Sequence, residues 1–350
     1  MKTSFISTLT AQSAMRLTIQ RSQVEIQNLQ KEVVTGRYAD IGESLGSGAS
    51  RSVTLNRDVL RLETMKDSNS LVTQRLSASQ LALSEMSAQA QNLLEAFIAV
   101  NSSDDANRLA VADQEIRNAL DSFTDAANTS SNGEYLLGGV NTDTKPLSDY
   151  QAAGSAAKAT FDAAFFTRFG FSQNDPAAAG ISVADMDDFL TNTLEPLFMG
   201  AQWNTDWSTA SDSNVTSRIS RTELVESNAN ANEEGIRKFA LASIIGIELL
   251  SSPISNEVRS FVNSRAIQHA GEAVNKIDNI RSKLGISENR VSKANTALEA
   301  QIEIFELHVA DLEGVDAYEA STRMKSLLAQ IETSYQLTAR LQQLSLTNFL

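Results

Sequence analysis

From Ala49 to Asn132 the chain contains neither glycine nor proline. A stretch that long without the residues that break helices can run as continuous helix, and its apolar residues say which kind. One row at heptad steps is Leu55, Leu62, Asn69, Leu76, Leu83, Ala90 and Phe97; three positions on lie Asp58, Met65, Val72, Ser79, Met86, Leu93 and Val100. Eleven of the fourteen are apolar, which predicts a coiled-coil seam. Asn69 is the kind of polar seam position that fixes register at some cost in stability.

A matching ladder lies near the other end: Ala270, Ile277, Leu284, Val291, Leu298, Phe305 and Leu312, with Ala273, Ile280, Ser287, Ala294, Gln301 and His308 three positions on. His308 would be a polar break in that seam. Two helices of similar length with complementary seams should pack on each other, antiparallel if the segment between them folds as an excursion.

Shorter stripes cover the termini. Met15, Ile19, Ser22, Ile26, Leu29 and Val33 precede Gly36; Met324, Leu328, Ile331, Tyr335, Thr338 and Leu341 follow Gly314, and Leu344, Leu346, Phe349 and Leu350 add apolar surface at the tip. Narrow helices of this kind are marginal alone in water, so the two termini need each other or a neighbouring subunit. The candidate assembly interface is therefore Met15, Ile19, Ile26, Leu29, Val33, Met324, Leu328, Ile331, Tyr335, Leu341 and Leu344.

A third inner helix is expected from Ser102 or Ser103, with Asp104 and Asp105 in its first turn and Leu109, Ala112, Ile116, Leu120, Phe123 and Ala127 on its apolar face. It should stop before Asn132-Gly133, and Glu134-Tyr-Leu-Leu-Gly-Gly should be a strand in a hairpin. All four prolines lie between residues 146 and 253. Residues 145–215 hold seven of the fourteen Phe and both Trp, with nine acids against three bases, and predict a small separate core with an acidic surface. The expected fold is mainly α: a long antiparallel coiled-coil bundle with a β-hairpin. Residues 41–144 and 216–314 form the bundle, 145–215 a small inserted central domain, and 1–40 with 315–350 the terminal helices, which pair in the assembled state.

Composition excludes several functions. Of the net charge of −14, residues 101–250 supply 22 acids against 9 bases, so nothing offers the basic footprint that nucleic acid requires. The longest apolar run, Phe239 to Leu250, contains Ser243 and Glu248 and falls short of the ~20 residues of a membrane span. The first twelve residues lack the apolar core of a Sec signal, and the absence of cysteine fits an exported bacterial protein.

Catalytic chemistry finds little to stand on. The pairs Asp104-Asp105, Asp187-Asp188 and Glu233-Glu234 are expected at helix starts; a glycan hydrolase would need carboxylates to converge, and only Asp185, Asp187, Asp188 and Glu195 are dense enough. His269 and His308 lack metal-ligand spacing. Gly42, Gly46 and Gly48 have no following Gly-Lys-Ser/Thr and are expected in a flexible linker rather than a phosphate loop. No catalytic residue, metal or cofactor is expected.

Several stretches resemble the flagellin superfamily, in that family's order. Leu29-Gln-Lys-Glu-Val-Val-Thr-Gly-Arg37 is similar to its turn at the end of the N-terminal helix, and Arg281-Ser-Lys-Leu-Gly-Ile-Ser-Glu-Asn-Arg290 to its motif on the long C-terminal helix. Asp316-Ala-Tyr-Glu, continuing through Gln330-Ile-Glu-Thr-Ser-Tyr-Gln-Leu-Thr-Ala-Arg-Leu-Gln-Gln-Leu-Ser-Leu, resembles the terminal helix of the hook-associated branch, especially in alphaproteobacteria. Two departures from flagellin itself favour that branch. Ile41-Gly-Glu-Ser-Leu-Gly-Ser-Gly stands where flagellins carry an Asp-Asp-Ala run, and Glu134-Tyr-Leu-Leu-Gly-Gly-Val resembles the branch's hairpin.

The resemblance implies a structural subunit at the junction of hook and filament, in the extracellular flagellum. It implies type III export without a cleaved signal and self-association in a ring. The implied partners are another hook-associated protein on the hook side, flagellin on the filament side and an export chaperone on the C-terminal helix; nucleic acid and membrane are not among them. A flagellin filament subunit and, of another class, a cytosolic coiled-coil scaffold remain alternatives.

Overall fold

The structure, a computed structural model, describes residues 8–100 and 105–347. The chain divides into two compact units, Met65–Thr296 and Met1–Thr64 with Ala297–Leu350. Two helices of the expected length dominate: α3, Ala49–Ala99, and α10, Asn256–Glu313. The other elements are α1 Thr8–Thr35, α2 Ile41–Leu45, α4 Ala106–Ala127, β1 Ser130–Ser131, β2 Glu134–Tyr135, α5 Ala156–Phe169, α6 Val183–Asp188, α7 Glu195–Met199, α8 Trp203–Asp206, β3 Thr216–Arg218, β4 Leu224–Glu226, α9 Glu234–Ile245 and α11 Ala317–Thr347. Among the described residues no helix is long and apolar enough to cross a membrane.

Within Met65–Thr296, polar rungs show that α3 and α10 run antiparallel. The Asn69 amide donates to Asn295 Oδ1 at 2.8 Å, Gln80 Nε2 to the Arg281 carbonyl at 2.8 Å, the Ser87 hydroxyl to Asp278 Oδ1 at 3.0 Å, and Asn263 Nδ2 to the Phe97 carbonyl at 3.1 Å. From Val72 upward both heptad rows of α3 are buried. Nearer its start, Val59 is buried and Asp58 only half so, the drift of about 20° per heptad that a straight helix shows against a strict repeat. The ladder of α10 holds through Leu298; then Gln301 and His308 are exposed and Val309 is buried. His308 is therefore not in the seam, for the same geometric reason.

The third helix lies where expected, with every residue of its apolar face buried. Asp105 is its N-cap, accepting from the Asn107 amide at 2.8 Å, rather than part of its first turn; Ser102, Ser103 and Asp104 lie outside the described residues. The hairpin β1–β2 turns on Asn132 and Gly133, both at positive φ as a tight two-residue turn of this twist requires. Beyond it the chain passes so close to its neighbour that a Cβ at Gly139 would sit 2.4 Å from the Ser211 carbonyl oxygen.

Residues 145–215 do not build a core of their own. Phe161, Phe165, Phe189 and Trp203 belong to the same continuous buried cluster as Phe97, Phe123 and Phe239 of the bundle. The reason is α9, which is buried on nearly every side, as a helix apolar all round must be, and so gives the aromatic segment a second surface to pack on. Asp187 and Asp188 lie inside a helical stretch, where α6 continues through a π-helical segment, Phe189–Leu194, into α7, instead of opening a helix; Asp187 pairs with Arg265 at 2.5 Å and Asp188 with Arg168 at 3.3 Å. Asp185 shares Arg168 with Asp188, and Glu195 pairs with Lys238, so each of these carboxylates is held by a basic side chain. Glu233 and Glu234 do open α9.

Candidate assembly interface

The unit that holds both ends of the chain is built from helices with narrow apolar faces. Here α1 packs on α11, running antiparallel: Arg323 pairs with Glu25 at 2.5 Å, Gln23 Nε2 donates to the Tyr335 hydroxyl at 3.3 Å, and Thr338 Oγ1 lies 3.7 Å from Met15 Sδ. The two termini therefore satisfy each other within one chain.

That pairing divides the expected interface in two. Ile19, Leu29 and Ile331 are buried in the pair, and Met15, Ile26, Val33 and Met324 are half-buried. Leu328 and Tyr335 remain 49% and 52% exposed. The side chains of Leu341 and Leu344 lie outside the described residues. Leu17, Val24 and Leu337 are also exposed, and the stripe counted from the sequence missed them. Leu17 and Val24 stand one heptad apart, so a second row beside the first was the available signal. Leu17 and Val24, with Leu29, line a groove of about 600 Å³ that Arg21, Glu25 and Arg323 border.

At the base of the pair two turns meet. Gly36, at φ 68°, lets the chain reverse after α1; its carbonyl accepts from the Val315 amide at 2.9 Å, and the Tyr38 amide donates to the Glu313 carbonyl at 3.0 Å. Glu32 Oε1 accepts from the Ala39 amide at 3.0 Å, and Lys31 Nζ donates to the Ala39 carbonyl at 3.0 Å. The Glu313 side chain, 1% exposed, accepts from Arg37 at 3.1 Å, from Asn56 Nδ2 at 3.0 Å and from the Ser52 hydroxyl. The segment from Gly36 to Gly48 is thus more ordered than a flexible linker: Asp40 caps α2, accepting from the Glu43 amide at 2.9 Å.

Residues 6–142 match the sequence profile of the bacterial flagellin N-terminal helical region, and residues 267–350 that of the bacterial flagellin C-terminal helical region. The chain is similar in fold to a protein of Vibrio parahaemolyticus described as flagellar hook-associated. The TM-score is 0.54 at 10% identity, over 77% of this chain and 99% of that one. Bacillus cereus FlgL aligns over 73% of this chain and 99% of its own, with a TM-score of 0.49 at 12% identity. None of the curated protein sequences matches.

Proposed function

The chain belongs to the bacterial flagellin superfamily and is a structural protein of the flagellum, and from that membership we propose that it is the subunit joining the hook to the filament. The observation that carries the proposal is the division of the terminal stripes. One part of each is spent within the chain, while Leu17, Val24, Leu328, Tyr335 and Leu337 stay in water. Leaving large apolar side chains exposed along both partners of a two-helix pair has an outlet in a neighbour: burying each contributes about 1.5–3 kcal/mol on assembly.

In this role residues 1–40 and 315–350 act as the assembly domain, and residues 145–215 as the variable insert. The terminal helices remain weakly folded through type III export and gain their full burial only against neighbours, so their folding is coupled to association. The subunit forms a ring, meets another hook-associated protein on one side and flagellin on the other, and its C-terminal helix is guarded by a chaperone before export. The short helix Ile41–Leu45, where flagellins carry their Asp-Asp-Ala run, supports the junction over the filament subunit. So does the close-packed Glu134–Val140 segment. A strain lacking the protein should bear hooks without filaments and shed flagellin into the medium. Electron micrographs showing hooks with normal filaments would overturn the junction role.

A further inference from the structure

Three donors from two separate elements converge on one buried carboxylate at the root of the terminal helices. Arg37 follows α1, Ser52 and Asn56 sit in the first turns of α3, and Glu313 is the last residue of α10. Beside them the backbone of Gly36–Tyr38 pairs with that of Glu313–Val315 in a short antiparallel bridge. A carboxylate taken out of water in this way is tolerable only while its donors are in place. The cluster therefore closes as a unit, and loss of one donor leaves the remaining charge to recruit water.

We propose that Glu313 is a positioning residue, a clasp that seats the root of α1 beside the root of α11 and nucleates their pairing from the shared base. The chemistry of the connection gives the reason. Gly314, Val315 and Asp316 alone separate α10 from α11, so the root of α11 is placed by α10 itself. The root of α1 carries the ordered segment 36–40 with it, because Lys31 and Glu32 hold Ala39, and what ties that root to the turn before α11 is the Gly36–Tyr38 bridge together with the Glu313 cluster. Fixing the root turns the encounter of two marginal helices into zippering from one end, which removes the costly nucleation step. The clasp lies wholly within one chain and does not depend on the role at the hook–filament junction.

The chain has no cysteine, so a designed pair is free of background. In the full-length protein, Gln23→Cys with Tyr335→Cys places thiols where the two side chains meet at 3.3 Å, and the rate of closure by a short bismaleimide reports how often α1 and α11 come together. Ser87→Cys with Asp278→Cys, joined at 3.0 Å across α3 and α10, is the control. Glu313→Gln keeps the shape but turns an amide NH₂ toward donors, and Arg37→Ala removes the charged partner. Each should slow closure at the first pair about tenfold, the effect of losing one charge-assisted hydrogen bond. Closure at the control pair should stay within about twofold, as expected for distant sites. Arg37→Lys, which keeps the charge, should fall between. Unchanged closure at the first pair would overturn the clasp. Equal slowing at both pairs would also overturn it, because Glu313 would then serve general stability rather than pairing.

Discussion

The two compact units carry the same kind of heptad sequence and bury it to different degrees. In Met65–Thr296 the long-helix rows are covered on further sides by α4 and α9 and by the aromatic segment, and Phe97, Phe123, Phe161, Phe165, Phe189, Phe239 and Trp203 are fully buried. Among the described residues of the terminal unit the buried apolar side chains are few and aliphatic, including Ile19, Leu29, Leu62, Leu298 and Ile331. Val53, Leu60, Ile304, Leu307, Tyr318, Leu328 and Tyr335 are exposed around them. A heptad stripe specifies one contact face. Whether the element is stable depends on how many of its other faces find cover, and only the first unit supplies that cover from its own chain.

The sharpest way to break the contrast is to remove the centre of the covered unit. Phe123 stacks on Phe239 with ring centroids 3.6 Å apart, joining α4 to α9. Phe123→Ala should cost about 3–5 kcal/mol in urea unfolding, the range for deleting a buried aromatic ring that surrounding helices cannot collapse upon. The same probe on the terminal pair, amide exchange along α1 and α11, should barely change. A loss below 1 kcal/mol would show that the central core is far less tightly packed than its burial indicates.

Much of this contrast was legible in the residues. The Gly- and Pro-free stretch, the two ladders and the apolar face of α4 gave the long helices and their mutual packing, because heptad periodicity is a local property of sequence. The hairpin was legible in part: the residues predict a strand from Glu134, whereas Asn132-Gly133, expected only to stop the helix before it, is the turn itself. What depended on distant partners was not legible. Residues 145–215 looked self-sufficient because their aromatics are dense, yet the surface they pack on, α9, is supplied by residues 234–245. The clasp at Glu313 joins residues 276 positions apart, and an acid at a helix end ordinarily reads as a solvated one. The stripes themselves could be read, but not how they divide between a partner within the chain and one outside it.

A milder perturbation separates the units by pH. Lys238 on α9 donates to Glu195 of α7 at 2.7 Å and pairs with Glu272 of α10 at 3.0 Å, and its ammonium lies 3.3 Å from His269 Nδ1, with the charge of Arg265 also disfavouring the protonated ring. Burial first, and then Lys238, hold the imidazole below its ordinary 6.5, against the opposing pull of the two glutamates. The neutral ring accepts a hydrogen bond that the protonated ring cannot. A folded-state value below the unfolded one means that this stability is present above 6.5 and is lost as the pH falls through the folded value. Partial burial pushes Glu272 up, yet hydrogen bonds from Lys238 and Gln268 hold it below 4.5, so its own loss comes only at lower pH. The urea midpoint of the central unit should therefore fall between about pH 7.5 and about pH 5.5. His269→Asn, which keeps an acceptor but does not titrate, should flatten that slope, and exchange in the terminal pair should not follow it. A slope unchanged in the variant would assign the titration elsewhere.

The smallest effect on the isolated protein carries the most about assembly. Ile331 and Leu328 stand one turn apart on α11, the first 9% exposed and the second 49%. Ile331→Asp puts a carboxylate into the seam between α1 and α11, where it has no partner, so the monomer itself should lose amide protection along both terminal helices. Leu328→Asp places the same charge in water and should alter the monomer by less than about 0.5 kcal/mol, as an exposed substitution does. Assembly reverses the ranking of what can be learned. Ile331→Asp fails to assemble because its helices no longer pair, which says nothing about a neighbour. Leu328→Asp keeps the pair and changes only the outward face, so its failure to support filaments on hook-bearing cells would place a neighbouring subunit against that face. If Leu328→Asp assembles as well as the unaltered chain, the exposed row on α11 is not a contact, and the neighbour must be sought on the Leu17–Val24 side of the pair.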